Sequence, residues 1–339
     1  MTTPDTTPLA DRVGHYYQVE DTYVVGREKV REYARAVQDH HRAHRDVGVA
    51  TELGYSGLVS PLTFTSIPAM AANRLLLETV VVGYETYLQT EQVFEQHRPI
   101  VAGDELTVDV ELTAVRRVAG RDMITITNTF TDTAGETVHT MHTTVVGVTS
   151  DEVDPSMTEA GRAIMVHDVS VPTADAVIEY KKQVRPEGAQ RLADPTARTP
   201  RSRDFDSLSV GDPLPSSEIR VTRGDLVNYA GVSGDGNPIH WDEPIAKLAG
   251  LPDVIAHGML TMGLGAGVVS EFTGDPGAVT RYSVRLSSPA VVPHAGSEIE
   301  FSGKIKSLDP ETRTGVVLLV AKSGGRKIFG MATLDVRFS

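Results

Sequence analysis

The sequence predicts an α+β protein made of two copies of one unit, and three observations carry that expectation. One is a repeat: Arg27, Tyr33, Ala34, Asp39, His44 and Asp46 recur as Arg223, Tyr229, Ala230, Asp235, His240 and Asp242, every pair 196 positions apart. Another is the pattern behind each copy, a second helical stretch and then runs with strand alternation. The third is a stretch rich in Pro, Asp, Ala and Arg, ending Asp194-Pro-Thr-Ala-Arg-Thr-Pro-Arg-Ser-Arg203, which reads as a linker. The expected division is a domain over 1–148, a linker over 149–204 with a short helix at 174–184, and a second domain over 205–339.

In the first copy, Met123–Phe130 alternates with period two and Thr133-Ala-Gly-Glu136 supplies a hairpin turn. In the second copy, Thr222 is the N-cap and Asp225 the capping-box partner of a helix through Tyr229-Ala230 that ends near Gly231. A loop carries Asp235 and His240. A second helix then starts at Gly258 and runs past Gly263, Gly265 and Gly267, which cost stability in a helix unless something approaches closely. A strongly curved sheet packed tightly around the helix would explain them, as would a slot for an acyl chain, and the two are compatible. Glu298–Ile305 alternates again, and Ser323-Gly-Gly325 marks the last hairpin.

Composition excludes several function classes. The chain has 339 residues, 40% of them hydrophobic, which suffices for two ordinary cores. No run approaches a spanning helix, and Met1-Thr-Thr-Pro-Asp lacks the basic start and apolar run of a secretion signal. With zero cysteines there is no disulfide, thiol nucleophile or zinc-thiolate site, and the cytoplasm is the expected compartment. A net charge of −13 disfavours nucleic-acid binding. If the substrate arrives on an acidic carrier, the basic clusters that could meet it are Arg116-Arg117, Lys181-Lys182 with Arg185, and Arg198 with Arg201 and Arg203; a solvated charged face is the simpler reading of each.

The chemistry concentrates in Tyr229-Ala-Gly-Val-Ser-Gly-Asp-Gly-Asn-Pro-Ile-His-Trp-Asp242 and Ile255-Ala-His-Gly-Met-Leu260. Asp235 and His240 can move protons near neutral pH. Gly234 and Gly236 loosen the backbone around the aspartate, Asn237-Pro238 forms a turn that aims His240, and Gly258 opens a helix whose first N–H groups can hold an anion. By spacing alone such a pair is more often a loop carboxylate and a packing histidine.

These residues resemble the hydratase motif of the MaoC-like, (R)-specific hydratase/dehydratase family, Y-A-x-x-S-x-D-x-N-P-I-H-x-D followed by His-Gly-Met, and the match is complete. The chain as a whole resembles a fusion of the HadA and HadB subunits of the mycobacterial-type (3R)-hydroxyacyl-ACP dehydratase of FAS-II, which builds mycolic acids. Gly14–Gly147 resembles the non-catalytic HadA partner, with Arg27-Glu-Lys-Val-Arg-Glu-Tyr-Ala34 and Arg98-Pro-Ile-Val-Ala-Gly-Asp104. Phe205–Phe338 resembles catalytic HadB, with Gly274-Asp-Pro-Gly-Ala-Val-Thr280 and Lys327-Ile-Phe-Gly330. The resemblance implies a double hot-dog fold, two antiparallel sheets each wrapped around a long helix. It also implies Asp235 and His240 as catalytic residues and Gly258 N–H as oxyanion donor, with Ser233, Asn237 and His257 in support and no cofactor or metal. His240 is assigned as base at the α carbon and Asp235 to the departing hydroxyl.

The first copy is expected to be silent. His41-Arg42 replaces Asn237-Pro238, losing the turn that orients the imidazole; Ser60-Pro61 replaces His257-Gly258, removing an N–H donor; and Pro68 would break the long helix, opening room for a long acyl chain. His40, His41 and His44 sit beside Arg42 and Arg45, poor company for a metal ion. The leading function is (3R)-hydroxyacyl-ACP dehydration in long-chain elongation. An (R)-specific enoyl-CoA hydratase of lipid breakdown would use the same residues, although Val-Arg-Phe-Ser339 offers no peroxisomal address. A non-enzymatic acyl-binding scaffold needs no glycine-flanked dyad. Expected partners are a carrier- or CoA-linked acyl thioester and other FAS-II enzymes, with neither nucleic acid nor a membrane span, the chain standing as a monomeric double hot dog or a homodimer of it.

Overall fold

The computed structural model describes residues 8–165 and 190–339. The proposed helix at 174–184 and the Lys181-Lys182-Arg185 cluster lie outside the described residues. In the first copy, strands β1 (Tyr16–Gln18) and β2 (Tyr23–Val24) precede helices α1 (Arg27–Ala36), α2 (Val47–Glu52) and α3 (Ser66–Thr79). Strands β3 (Thr86–Gln96), β4 (Glu105–Val118), β5 (Arg121–Thr131) and β6 (Thr137–Val148) follow. The second copy repeats the plan with β7 (Pro213–Val221) and helices α5 (Arg223–Ser233), α6 (Glu243–Leu248) and α7 (Gly258–Thr273). Its strands are β8 (Val279–Leu286), β9 (Ser297–Asp309), β10 (Thr314–Ser323), β11 (Arg326–Lys327) and β12 (Phe329–Arg337). Between the copies, Asp154 caps α4 (Pro155–Ile164), which packs against α6.

Strands run in the order β1-β4-β5-β6-β3-β8-β12-β10-β9-β7, so the two sheets continue into one another where β3 pairs antiparallel with β8. Each half curls around its long helix, and α7 is buried almost throughout. This is the double hot-dog fold. Helices α1 and α5 meet across the pseudo-twofold axis, the Tyr33 and Tyr229 rings 6.2 Å apart. No helix among the described residues is long and apolar enough to cross a membrane.

The hairpin turns fall as expected: Gly324 and Gly325, at φ +54° and +76°, close β10 onto β11. The Thr222/Asp225 capping box is formed on both sides. Helix α5 ends near Gly231 as expected: it runs to Ser233, and Gly234, at φ +82°, takes the left-handed position that stops it. Gln38 occupies the equivalent place in the first copy at φ +49°.

Pro68 does not break its helix. Helix α3 begins at Ser66, so the proline falls in the first turn, where its missing N–H removes no intrahelical bond. Nor does Gly263 line an acyl slot: a Cβ there would stand 2.5 Å from Val37 Cγ1, so the first copy's post-α1 loop fills that space. A Cβ on Gly267 would lie 3.4 Å from the Asp39 carboxyl carbon, and Gly267 lines a cavity of about 390 Å³ with Gln38, Asp39 and Arg220. Gly265 meets the sheet, with Leu319 and Tyr282 both 2.9 Å from a Cβ.

The Arg198–Arg203 cluster is a clasp. Arg198 pairs with the fully buried Asp275 at 2.8 Å, Arg201 N–H donates to the same carboxylate, and Arg203 lies 4.6 Å over the Phe272 ring. Arg116 and Arg117 are exposed at the β4–β5 hairpin, Arg117 pairing with Asp122 at 3.0 Å.

Candidate active site

Helix α5 delivers the Asp235 loop, and the short 3₁₀ turn Pro238–His240 delivers the histidine. Asn237 aims that turn, its Oδ1 accepting from Ile239 N–H at 3.2 Å, while Asp235 N–H donates to Ser233 Oγ at 3.2 Å. Asp235 is half-buried and His240 buried. Asp242 is not chemical: it caps α6 through Ile245 N–H, as Asp46 caps α2.

His240 Nδ1 lies 2.8 Å from Ile255 O. A carbonyl only accepts, so Nδ1 carries the proton and, in the neutral ring, Nε2 holds the free lone pair. Burial pushes the His240 pKa below its ordinary value, against the pull of Asp235. The His257 ring stacks on His240, centroids 3.8 Å apart at 27°, and its Nε2 is 3.2 Å from Asp235 O. Burial, then His240, push His257 down to about 2, so it stays neutral. Tyr229 closes its other side with ring centroids 4.8 Å apart.

Candidate ligand atoms of Asp235, His240 and His257 lie within 4.8 Å of one another. Stacked imidazoles hold their in-plane lone pairs side by side instead of converging, which does not suit a tetrahedral metal. An acid, a base and a neutral support fit the arrangement better.

Gly258 opens α7, so its N–H has no intrahelical acceptor and points with the positive end of the helix. A Cβ there would lie 2.8 Å from Leu286 Cδ1 and 3.3 Å from Gln89 Oε1, so the ends of these two side chains close over Gly258. The site thus brings together Ser233, Asp235, Asn237, His240, His257 and Gly258. Sequence reasoning missed Tyr229 as the floor beneath His257, the Ile255 carbonyl and Gln89. Ile255 acts through its main chain and left no side-chain signal.

The first copy holds the same dyad in another state. His44 Nδ1 lies 2.7 Å from Val59 O, the counterpart of Ile255; both carbonyl residues form isolated bridges, to Val101 and Val291. That match places Pro61 opposite His257 and Leu62 opposite Gly258, one residue off the sequence alignment with Ser60-Pro61. Leu62 carries an N–H, so proline does not remove the donor at that position; what differs is that α3 starts at Ser66, one turn later than α7 starts at Gly258. Neither is the orienting turn lost, because His41 Nδ1 accepts from Ala43 N–H at 3.2 Å, as Asn237 does in its turn. The dyad differs in being closed. His44 Nε2 sits 3.1 Å from Asp39 Oδ2, with both side chains buried, the two charges holding His44 up and Asp39 down against desolvation.

Residues 11–141 match a family described as "FAS1-like, dehydratase domain region", and residues 207–319 match "MaoC like domain". A solved structure described as a MaoC-like dehydratase is 67% identical, covering 98% of this chain and 100% of its own, with a TM-score of 0.94. A UPF0336 protein of Mycolicibacterium paratuberculosis is 36% identical over 159 residues, 46% of this chain and 98% of its own. A conserved hypothetical protein of Mycobacterium tuberculosis described as having a double hotdog fold superposes over 96% of each chain, with a TM-score of 0.63 at 15% identity, a likeness of fold alone. With a complete hydratase motif, one open dyad and relatives of this kind, the chain belongs to the MaoC-like dehydratase family.

Proposed function

We propose that this protein removes water from (3R)-hydroxyacyl thioesters to give trans-2-enoyl thioesters, acting on carrier-protein-linked chains in long-chain fatty acid elongation. The observation that carries the reading is the open dyad beside a helix start: a buried, neutral imidazole with Nε2 free, a reachable carboxylate, and the Gly258 N–H. His240 Nε2 takes the proton from the α carbon. The charge that develops on the thioester oxygen rests on Gly258 N–H, a contact whose loss typically costs about a hundredfold or more in rate. Asp235, entering this direction as its carboxylic acid, gives its proton to the departing hydroxyl and is left as the carboxylate, and the proton held by His240 passes back to it to reset the pair. In reverse, its carboxylate activates water and the imidazolium returns the proton. Asn237 and Ser233 hold the loop, and His257 keeps solvent from beneath the base.

The match of the first half to a dehydratase region supports the dehydration direction. The test is hydration of trans-2-enoyl thioesters by purified protein, short against long chain and CoA against acyl carrier protein. Preference for long chains on the protein carrier supports elongation, whereas good turnover of short CoA esters would make the protein an (R)-specific enoyl-CoA hydratase. Asp235→Asn should abolish turnover while acyl binding persists; unchanged activity would sink the enzymatic assignment.

A further inference from the structure

The dyad and Gly258 come from the second copy, but a side chain of the first copy covers Gly258. Strand β3 reaches it by pairing with β8, Glu91 opposite Arg285, and a bulge between Gln89 and Glu91 in the pairing with β6 breaks the strand's alternation. The extra residue turns Gln89 onto the face of Gln92, with Gln89 Nε2 donating to Gln92 Oε1 at 2.9 Å. Gln92 is fixed: it is 1% exposed, its Oε1 also accepts from Thr143 Oγ1 at 2.8 Å, and its Nε2 donates to Val93 O at 3.2 Å. The amino end of Gln89 is thereby committed to Gln92, and the same Nε2 lies 3.7 Å from Met259 Sδ. Its oxygen faces the start of α7, 3.3 Å from the Cβ position of Gly258.

An acceptor oxygen repels an oxyanion, so Gln89 is not a second donor to the thioester oxygen. On the dehydratase reading, on which this inference rests, that oxygen goes to Gly258 N–H and the substrate hydroxyl to Asp235. Of the donors that remain on a carrier-linked thioester, the one nearest the thioester is the amide N–H of the cysteamine arm, common to CoA and acyl carrier protein. We propose that Gln89 is a specificity residue whose carboxamide oxygen accepts a hydrogen bond from that amide. The catalytically silent copy then reads the carrier side of the substrate.

The test compares kcat/KM for a trans-2-enoyl N-acetylcysteamine thioester, which has the amide, and the S-butyl thioester, which lacks it. Wild type should favour the first by about tenfold, the size of one good hydrogen bond, and Gln89→Met should reduce that ratio between the two esters to about twofold. Gln89→Glu keeps an acceptor and should keep most of the preference; Gln89→Ala serves if the methionine variant does not fold. A full preference surviving in Gln89→Met, or an equal loss on both esters, would overturn the assignment. Wild-type turnover with no preference for the amide ester sinks this inference alone, whereas turnover of neither ester sinks the dehydratase reading itself.

Discussion

His44 and His240 each give Nδ1–H to a main-chain carbonyl, Val59 and Ile255, and each follows an aspartate by five residues. The copies part at Nε2. In the first, Asp39 closes onto the ring at 3.1 Å and the pair is sealed by α7, whose Gly263 and Gly267 admit Val37 and Asp39. In the second, Asp235 stays half-buried, and among the described residues it makes no ion pair with His240. On the proposed reading, the same two side chains form a structural ion pair when closed and an acid and a base when held apart, so motif residues alone do not distinguish a site from its relic.

The largest effect should come from opening the comparison at the base. His240→Ala is expected to lower hydratase turnover by about a thousandfold in the folded protein, within the usual range for a lost general base. His44→Ala should leave turnover within about twofold of wild type; a comparable loss there would mean that the closed dyad also works. Next in size, Asp39→Asn strips the carboxylate from a buried imidazolium and should cost about 3 kcal/mol in chemical denaturation, whereas Asp235→Asn, at a half-exposed position, should cost under about 1 kcal/mol. Equal costs would erase the structural distinction. Smaller again, Gly263→Ala forces a methyl into Val37 and should cost about 2 kcal/mol. An acyl slot at that position would instead accept the methyl without cost and change chain-length preference.

Much of the fold is legible in the sequence because it is local. Period-two runs mark strands, the Gly324-Gly325 pair marks a hairpin, and Thr222 with Asp225 marks a cap, each set by neighbours in sequence. Asp154-Pro155 carries an equally readable start signal for α4 within the expected linker. Sequence fails as a guide where the deciding partner is distant. Whether Pro68 harms a helix depends on where the helix starts, and what Gly263 meets depends on a loop of the other copy. Comparing residue types makes His41 a lost turn, whereas its ring nitrogen accepts the same bond as an asparagine oxygen. Gln89 reaches the site only through a bulge and a strand pairing between copies, neither of which leaves a mark in the sequence.

Acid provides the finest separation of the buried histidines. Burial pushes His139, in the first copy, down to about 3, and His257, in the second, down to about 2. Their unfolded values lie near 6.5, so as pH falls below that the unfolded chain takes up protons that the fold refuses. Each then removes up to about 1.4 kcal/mol of stability per pH unit. His44, held above its ordinary value by Asp39, behaves oppositely: its contribution is fully present below about 6.5 and is lost as pH rises through its folded value. Denaturation at pH 7, 6, 5 and 4 should therefore show a decline that His139→Gln and His257→Gln each reduce by about one histidine's share, with the double variant Asp39→Asn/His44→Ala, which leaves no unpaired buried carboxylate, keeping that slope below about pH 6. If the double variant flattened the acid slope instead, His44 would be a buried neutral ring like the other two, and the closed dyad would not be an ion pair.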